Sequence, residues 1–171
     1  QGLEDKTDKW QPFVVMAPLL FSQGQVAESI AHVEKALERS NNAAQVKQIA
    51  ANLYHGQGNM LARDNKFAEA KTYLLKALTF FPSNMNYLAS LIELEIKQKN
   101  IPEAQKLLDQ FSSSEDVAAE HDYLQAVIRN AEGKPDDALK LYFESWNKKP
   151  LDVSAEAIFS QYQATGKKDL A

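Results

Sequence analysis

Three small side chains, Ala70, Ala104 and Ala138, stand 34 residues apart in both steps, each closing a four-residue group: Phe67-Ala68-Glu69-Ala70, Ile101-Pro102-Glu103-Ala104 and Pro135-Asp136-Asp137-Ala138. Pro82 precedes Pro150 by 68 residues, twice the same period. A unit of that length accommodates two helices of about 13 residues and two short turns, and it cannot bury its apolar stripe alone. Stacking of successive units is therefore forced. The blocks 51–84, 85–118 and 119–152 follow one another without a gap.

Composition agrees with helices throughout. With 44% hydrophobic and 25% charged residues in 171, the chain can bury a continuous core as one domain. No β-branched or aromatic run exceeds the three residues of Phe13-Val14-Val15, so little in it asks for a strand. A net charge of −4 lacks the clustered Lys and Arg that neutralise phosphates, which argues against nucleic acid as a partner. The apolar stretch from Phe13 to Phe21 contains Pro18 and is far shorter than the roughly 20 residues that cross a bilayer, so no direct membrane insertion is expected of this segment. Absence of cysteine excludes disulfides, thiolate metal sites and a cysteine nucleophile, and fits an exported or a cytoplasmic setting equally.

The first block carries Tyr54, Gly58, Leu61, Ala70, Leu74, Ala77 and Pro82 at spacings that resemble those of the tetratricopeptide repeat family; Gln57 replaces the usual Leu. Gly58 and Ala70 are small where two helices of a pair cross, Ala77 is small where the next pair packs, and Pro82 stops the second helix. The second block keeps Leu88, Leu91, Ala104 and Leu108. It has Ile92 at a small-residue position, and Phe111 with Ser112-Ser113-Ser114 where Ala, Leu and Pro would fall, which predicts a short second helix. The third keeps Ala126, Gly133, Ala138, Tyr142 and Pro150, with Ser145 and Trp146 near its end and poor matches at Asp122 and Gln125. The resemblance implies an all-α fold, a right-handed α-solenoid of stacked helix-turn-helix repeats.

Upstream, Gly24 to Ser29 and Lys35-Ala36-Leu37 resemble a degenerate block over 10–43, with Phe13, Ala17 and Leu20 on its packing stripe. Pro18 in its first helix predicts a kink or a short helix. Seven extra residues, Ala44 to Ala50, make nearly two turns and return the helix face to within about 20°. One continuous helix from about Ala43 to Arg63 is predicted, with Asn41 and Asn42 as cap candidates. Residues 153–165 have the length of one more first helix, a terminal cap whose Phe159 and Tyr162 point either inward or to a continuation. The expected organisation is thus one domain over 10–165. A tail of 1–9, whose opening Gln1-Gly2 resembles a tag remnant or the start of a processed fragment, precedes it, and a tail of 166–171 follows.

His32, His55 and His121 lie too far apart, without carboxylate or thiolate neighbours at ligand spacing, to form a metal site. No phosphate-cradling glycine run, HExxH, GxSxG or paired carboxylates occur, so neither a cofactor nor catalysis is expected. Glu28, Glu34, Lys35 and Glu38 read as a solvated helix face.

Helix pairs stacked with a constant rotation curl into a superhelix whose inner wall is made by the first helices. The resemblance places Asn52, His55, Asn59 and Arg63 on that wall in one block, Asn86, Glu93 and Lys97 in the next, and Glu120, Tyr123, Val127 and Asn130 in the third. Amide, imidazole and aromatic groups there can bond a peptide backbone and grip an apolar side chain. His55 and Asn59, one turn apart, form the best pair. The expected function is a non-enzymatic scaffold that binds a partner protein or peptide in the groove. The alternative is a structural module that self-associates through its terminal helices, using Phe13, Val14, Phe159 or Tyr162.

Some family members clamp a carboxylate tail with Lys and Asn on successive first helices, and of that set only Asn59 is present. His55 replaces the first Lys and Ser90 the second Asn, while Glu120 and Leu124 stand where the last basic residues would be. An acidic C-terminal peptide is therefore expected to show no heat of binding in calorimetry; micromolar affinity would overturn this.

Overall fold

The computed structural model describes residues 9–110 and 117–164. Among the described residues there are nine α-helices and no strand, an all-α helical repeat. The chain forms two compact units, one ending at Tyr87 and the other beginning at Leu88. The first holds α1 (Gln11–Ser22), α2 (Val26–Arg39), α3 (Ala44–Arg63), α4 (Phe67–Phe80) and the opening of α5 (Met85–Lys97). The second holds the rest of α5, then α6 (Ile101–Asp109), α7 (Ala118–Ala131), α8 (Pro135–Lys148) and α9 (Asp152–Ala164). The expectations for Phe111, for the serines at 112–114, and for residues 1–8 and 165–171 fall outside the described residues.

The first helix of each pair ends in the same way. Gly24, Asn65, Lys99 and Gly133 hold φ at 79°, 60°, 61° and 78°. Each donates its N–H to the carbonyl three residues back, and the next residue donates to the carbonyl five back: Gln25 to Leu20, Lys66 to Leu61, Asn100 to Glu95 and Lys134 to Arg129, at 2.8–3.0 Å. These paired bonds satisfy carbonyls that a helix end would otherwise orphan. The last three turn residues recur every 34 positions, and Gly24 is offset by the seven-residue insertion.

Asn41 and Asn42 have a different job from the one expected. Both sit at positive φ, 50° and 59°, and Asn42 donates its N–H to Leu37 O at 2.9 Å, closing α2. No side chain caps α3, and Ser40 Oγ instead accepts the Ala43 N–H at 3.2 Å. Asparagine tolerates the left-handed region, so the same residue type serves either a cap or a helix stop. Helix α3 then runs unbroken for 20 residues, with Val46 and Ala50 fully buried within the insertion. Helix α1 passes through Pro18 and continues to Ser22, and α6 has nine residues.

In the first unit Val14 and Ala17 of α1, Ile30, Val33, Ala36 and Leu37 of α2, and Val46, Ala50, Ala51, Leu53 and Tyr54 of α3 form one buried cluster with Ala77 and Tyr87. Ser29 Oγ donates to Ala17 O at 2.7 Å inside it, which satisfies the one hydroxyl at the α1–α2 crossing. Tyr54 is drawn into a three-helix contact: its hydroxyl donates to Glu34 Oε1 at 3.3 Å, and Lys76 Nζ meets the same oxygen at 3.3 Å while lying 5.0 Å from the ring centroid. Burial first, then the Glu34 charge, pushes the Tyr54 hydroxyl above its ordinary pKa.

The second unit buries Leu124, Ala126 and Ile128 of α7 and Ala138 and Tyr142 of α8. Gln105 of α6 and Gln125 of α7 exchange amide bonds, at 3.0 Å one way and 2.8 Å the other. Each thereby offsets the cost of carrying a polar group into a helix interface. The Asp122 position, also a poor repeat match, is tied to Lys148. Ser145 and Ser154 pair their hydroxyls at 2.8 Å where α8 meets α9. On α9, Tyr162 stands edge-on to Phe143 with centroids 6.2 Å apart, whereas Phe159 is 51% exposed.

Two substitutions test these close constraints. A Cβ on Gly58 would lie 2.7 Å from Leu74 Cγ and 3.2 Å from Ala70 O, so Gly58→Ala should destabilise by about 1–3 kcal/mol in urea unfolding. At Gly56 the added atom meets only the tip of the Phe21 ring at 3.0 Å, and Gly56→Ala should cost less. Conversely, Lys99→Gly should relieve left-handed strain and stabilise by up to about 1 kcal/mol, read as an upward shift in thermal midpoint.

Candidate functional site

Positions 48, 52, 55, 59 and 63 of α3 follow a spacing of four, three, four and four, which sets Gln48, Asn52, His55, Asn59 and Arg63 along one side of the helix. Four of them, with Tyr87, form a chain of contacts. Asn59 Nδ2 donates to His55 Nε2 at 3.1 Å. The His55 ring faces Tyr87 with centroids 4.9 Å apart and planes inclined by 43°. The Tyr87 hydroxyl donates to Asn52 Oδ1 at 2.6 Å, and Gln48 Nε2 donates to the same oxygen at 3.2 Å. Tyr87 is delivered by the start of α5, where Asn84 Oδ1 accepts the N–H groups of Asn86 and Tyr87 at 3.0 and 3.3 Å.

The outcome is a polar row with fixed rotamers. Asn52 and Arg63 are exposed, His55 and Asn59 half-buried, and Asn86 is exposed on the first turn of α5. Burial pushes the His55 pKa below its ordinary value, so the imidazole is held neutral as an acceptor. Burial likewise raises the Tyr87 hydroxyl, opposed by the weaker effect of Gln48.

In the second unit the nominated residues divide. The Tyr123 ring lies 5.7 Å from that of Tyr142, and burial raises its hydroxyl pKa, with the charges of Glu93 and Glu156 adding to the effect. Glu93 keeps exposed surface, yet the protein atoms gathered around its carboxyl remove enough water to raise its pKa. Lys97 is exposed on the last turn of α5. Glu120 is ion-paired with Lys149 at 2.7 Å. Val127 packs against the cluster of Ala126, Ala138 and Tyr142, as do Ala157 and Ile158 of α9, and Asn130 Oδ1 accepts a bond from Gln161 at 3.3 Å. Helix α9 thus engages Asn130 of α7 directly.

Gln48, Tyr87, Glu156 and Gln161 also surround these positions, without a repeat spacing that singles them out. Extending the α3 stripe by one turn would have reached Gln48; Tyr87 comes from the next helix and has no periodic signal of its own. Among the described residues no group of three or more His, Cys, Asp or Glu could hold a metal, and no helix is long and apolar enough to cross a membrane.

Since His55 titrates lower in the fold than its unfolded value of about 6.5, the unfolded chain takes up that proton first as pH falls, and stability present above that value is lost on the way down. Urea unfolding at about pH 7.5 and about pH 5 should show this loss, and His55→Gln should remove part of the slope.

The sequence matches the profile of the tetratricopeptide repeat over residues 14–85 and 90–150. No curated protein matches it significantly. Among solved structures, it is similar to a tetratricopeptide repeat protein from Parabacteroides merdae, with a TM-score of 0.63 and 17% identity over 92% of this chain, which spans 59% of that protein. YrrB, described as a TPR protein with an unusual peptide-binding site, aligns with a TM-score of 0.54 and 21% identity over 97% of this chain and 82% of its own. The first TPR domain of Spaghetti (RPAP3), solved with an HSP90 peptide, aligns at 0.50 and 17% identity over 68% of this chain and 94% of its own. At these identities the structures show the fold alone. With the profile spanning most of its length and the same turn closing each first helix, the chain belongs to the tetratricopeptide repeat family.

Proposed function

We propose that this chain binds a partner peptide or protein along the first helices of its pairs, with the α3 row of Asn52, His55 and Asn59 as the principal contact surface. The tetratricopeptide fold suggests a protein–protein interaction scaffold, and two structurally similar proteins carry peptide sites. The observation that carries the finer reading is the linked row itself. His55 and Tyr87 lock each other by ring contact, and Asn52 and Asn59 are each held by a neighbour, so their remaining donors and acceptors face outward at little entropic cost.

A neutral imidazole flanked by amides favours an extended peptide whose backbone supplies both donors and acceptors. Arg63 at the end of the row adds a positive charge. Scaffolding needs no chemistry, and this family generally acts without any.

The test is selection of binding peptides from a displayed library on the immobilised chain, followed by titration of variants. His55→Ala and Asn59→Ala should each weaken the selected peptides by about tenfold or more, while Glu69→Ala on the exposed side of α4 should leave them unchanged. Full affinity in both His55→Ala and Asn59→Ala would rule out the α3 row as the binding surface.

A further inference from the structure

The two asparagines of the polar row are held in opposite senses. Asn52 Oδ1 accepts from both the Tyr87 hydroxyl and Gln48, at 2.6 and 3.2 Å, so the Asn52 amide nitrogen is the end left for a partner. Asn59 Nδ2 donates to His55 Nε2 at 3.1 Å, which turns Asn59 Oδ1 away from the ring as an acceptor. The seven-residue separation of these positions sets the donor and the acceptor about 10 Å apart along α3, close to three residues of extended chain. A peptide backbone supplies the complement of each.

Only the Asn59 end depends on a group that titrates near neutrality. An amide nitrogen can face Nε2 only while that ring nitrogen carries no proton. Once the imidazole is protonated two donors meet, and a half-turn of the Asn59 amide restores the bond with Oδ1 as acceptor and Nδ2 turned outward. Of the elements packed around α3, α5 sets Tyr87 against the ring, and α1 carries no charged residue. Glu34 of α2 and Lys76 of α4 meet each other at the neighbouring Tyr54. On α3 itself the charged residues are Lys47 and Arg63, eight positions to either side. Loss of water around the ring lowers its pKa, so the change falls below about pH 6.5.

We propose, resting on the α3 row as the contact surface, that His55 is a positioning residue: it sets which end of the Asn59 amide meets a partner, and its protonation reverses that end and releases peptides bound at neutral pH. A peptide N–H that had met Oδ1 then faces another N–H, and a donor enclosed without an acceptor is costly. The Asn52 end keeps its sense throughout. Gln48 does not titrate, and burial raises the Tyr87 hydroxyl further above its ordinary range. Acid therefore alters one end of the row and spares the other.

Peptides selected on the full chain at about pH 7.5, with capped ends and no His, Asp or Glu, should bind about tenfold or more weakly at about pH 5 in calorimetry, with helical circular dichroism unchanged. His55→Gln, whose amide oxygen accepts the same bond without titrating, should give one affinity at both pH values, whatever its level. Asn59→Asp, which shows a carboxylate oxygen to the partner in either state, should lose the pH dependence with His55 still in place. A further readout needs no ligand: the imidazole nitrogen resonances at about pH 7.5 should show the His55 proton on Nδ1 and Nε2 bare. A proton on Nε2 at that pH, an unaltered chain whose affinity ignores pH, a loss that persists in His55→Gln, or one that tracks loss of helical signal would overturn the proposal and leave the row standing. Full affinity in both His55→Ala and Asn59→Ala would overturn the row and the proposal together.

Discussion

Everything in this fold hangs on how the first helix of each pair is stopped. A residue at positive φ reverses the chain, and two backbone N–H groups turn back onto the last turn of the helix they have just left. The second helix then begins two residues after the positive-φ position, close enough for small side chains to touch. Gly58 against Leu74 and Ala70 is the tightest such approach among the described glycines. Without the turn the small residues would have no crossing to occupy, and with it the crossing distance leaves them no room to grow. Two of the four turns use glycine and one uses Asn65, a residue type that tolerates the left-handed region; Lys99 holds the same geometry against intrinsic preference, because the packed helices on either side over-determine it.

The spacing of Ala70, Ala104 and Ala138 made the architecture readable, since a close crossing admits few residue types and the period exposes them. Position-specific chemistry was less readable. Asn41 and Asn42 resemble helix caps because asparagine serves both a cap and a left-handed stop, and only the backbone decides between them. Gln125 and Asp122 looked like defects in the third block, yet Gln105 and Lys148 answer them from helices that the repeat pattern treats as independent. The pairing of His55 with Asn59 follows from helical spacing alone, whereas Tyr87 reaches His55 from across a turn, where no local rule applies. Asn130 is bonded by Gln161 of α9, and Val127 packs on the cluster that α9 also joins, contacts that the repeat spacing does not reveal.

Several polar groups within these helix interfaces are answered by neutral partners. Gln105 meets Gln125, Ser145 meets Ser154, and Ser29 meets a carbonyl rather than water. Neutral pairs of this sort lose little on burial and impose register, since an amide shifted by one residue would face an alkyl wall. Ion pairs, by contrast, lie at the partly exposed rims, where screening keeps each of them weak.

The lengthened α3 shows a rule of increments. Seven added residues leave Val46 and Ala50 in phase with the older part of the helix, and the same segment contributes Gln48 to the polar row. One added residue would instead rotate everything before it by about 100°, carrying both buried side chains into water. Such a helix can therefore grow only by lengths near whole turns, and each permitted step adds core and surface together. The reach of the polar row is in this sense quantised: what extends the face that meets solvent is the same increment that anchors it.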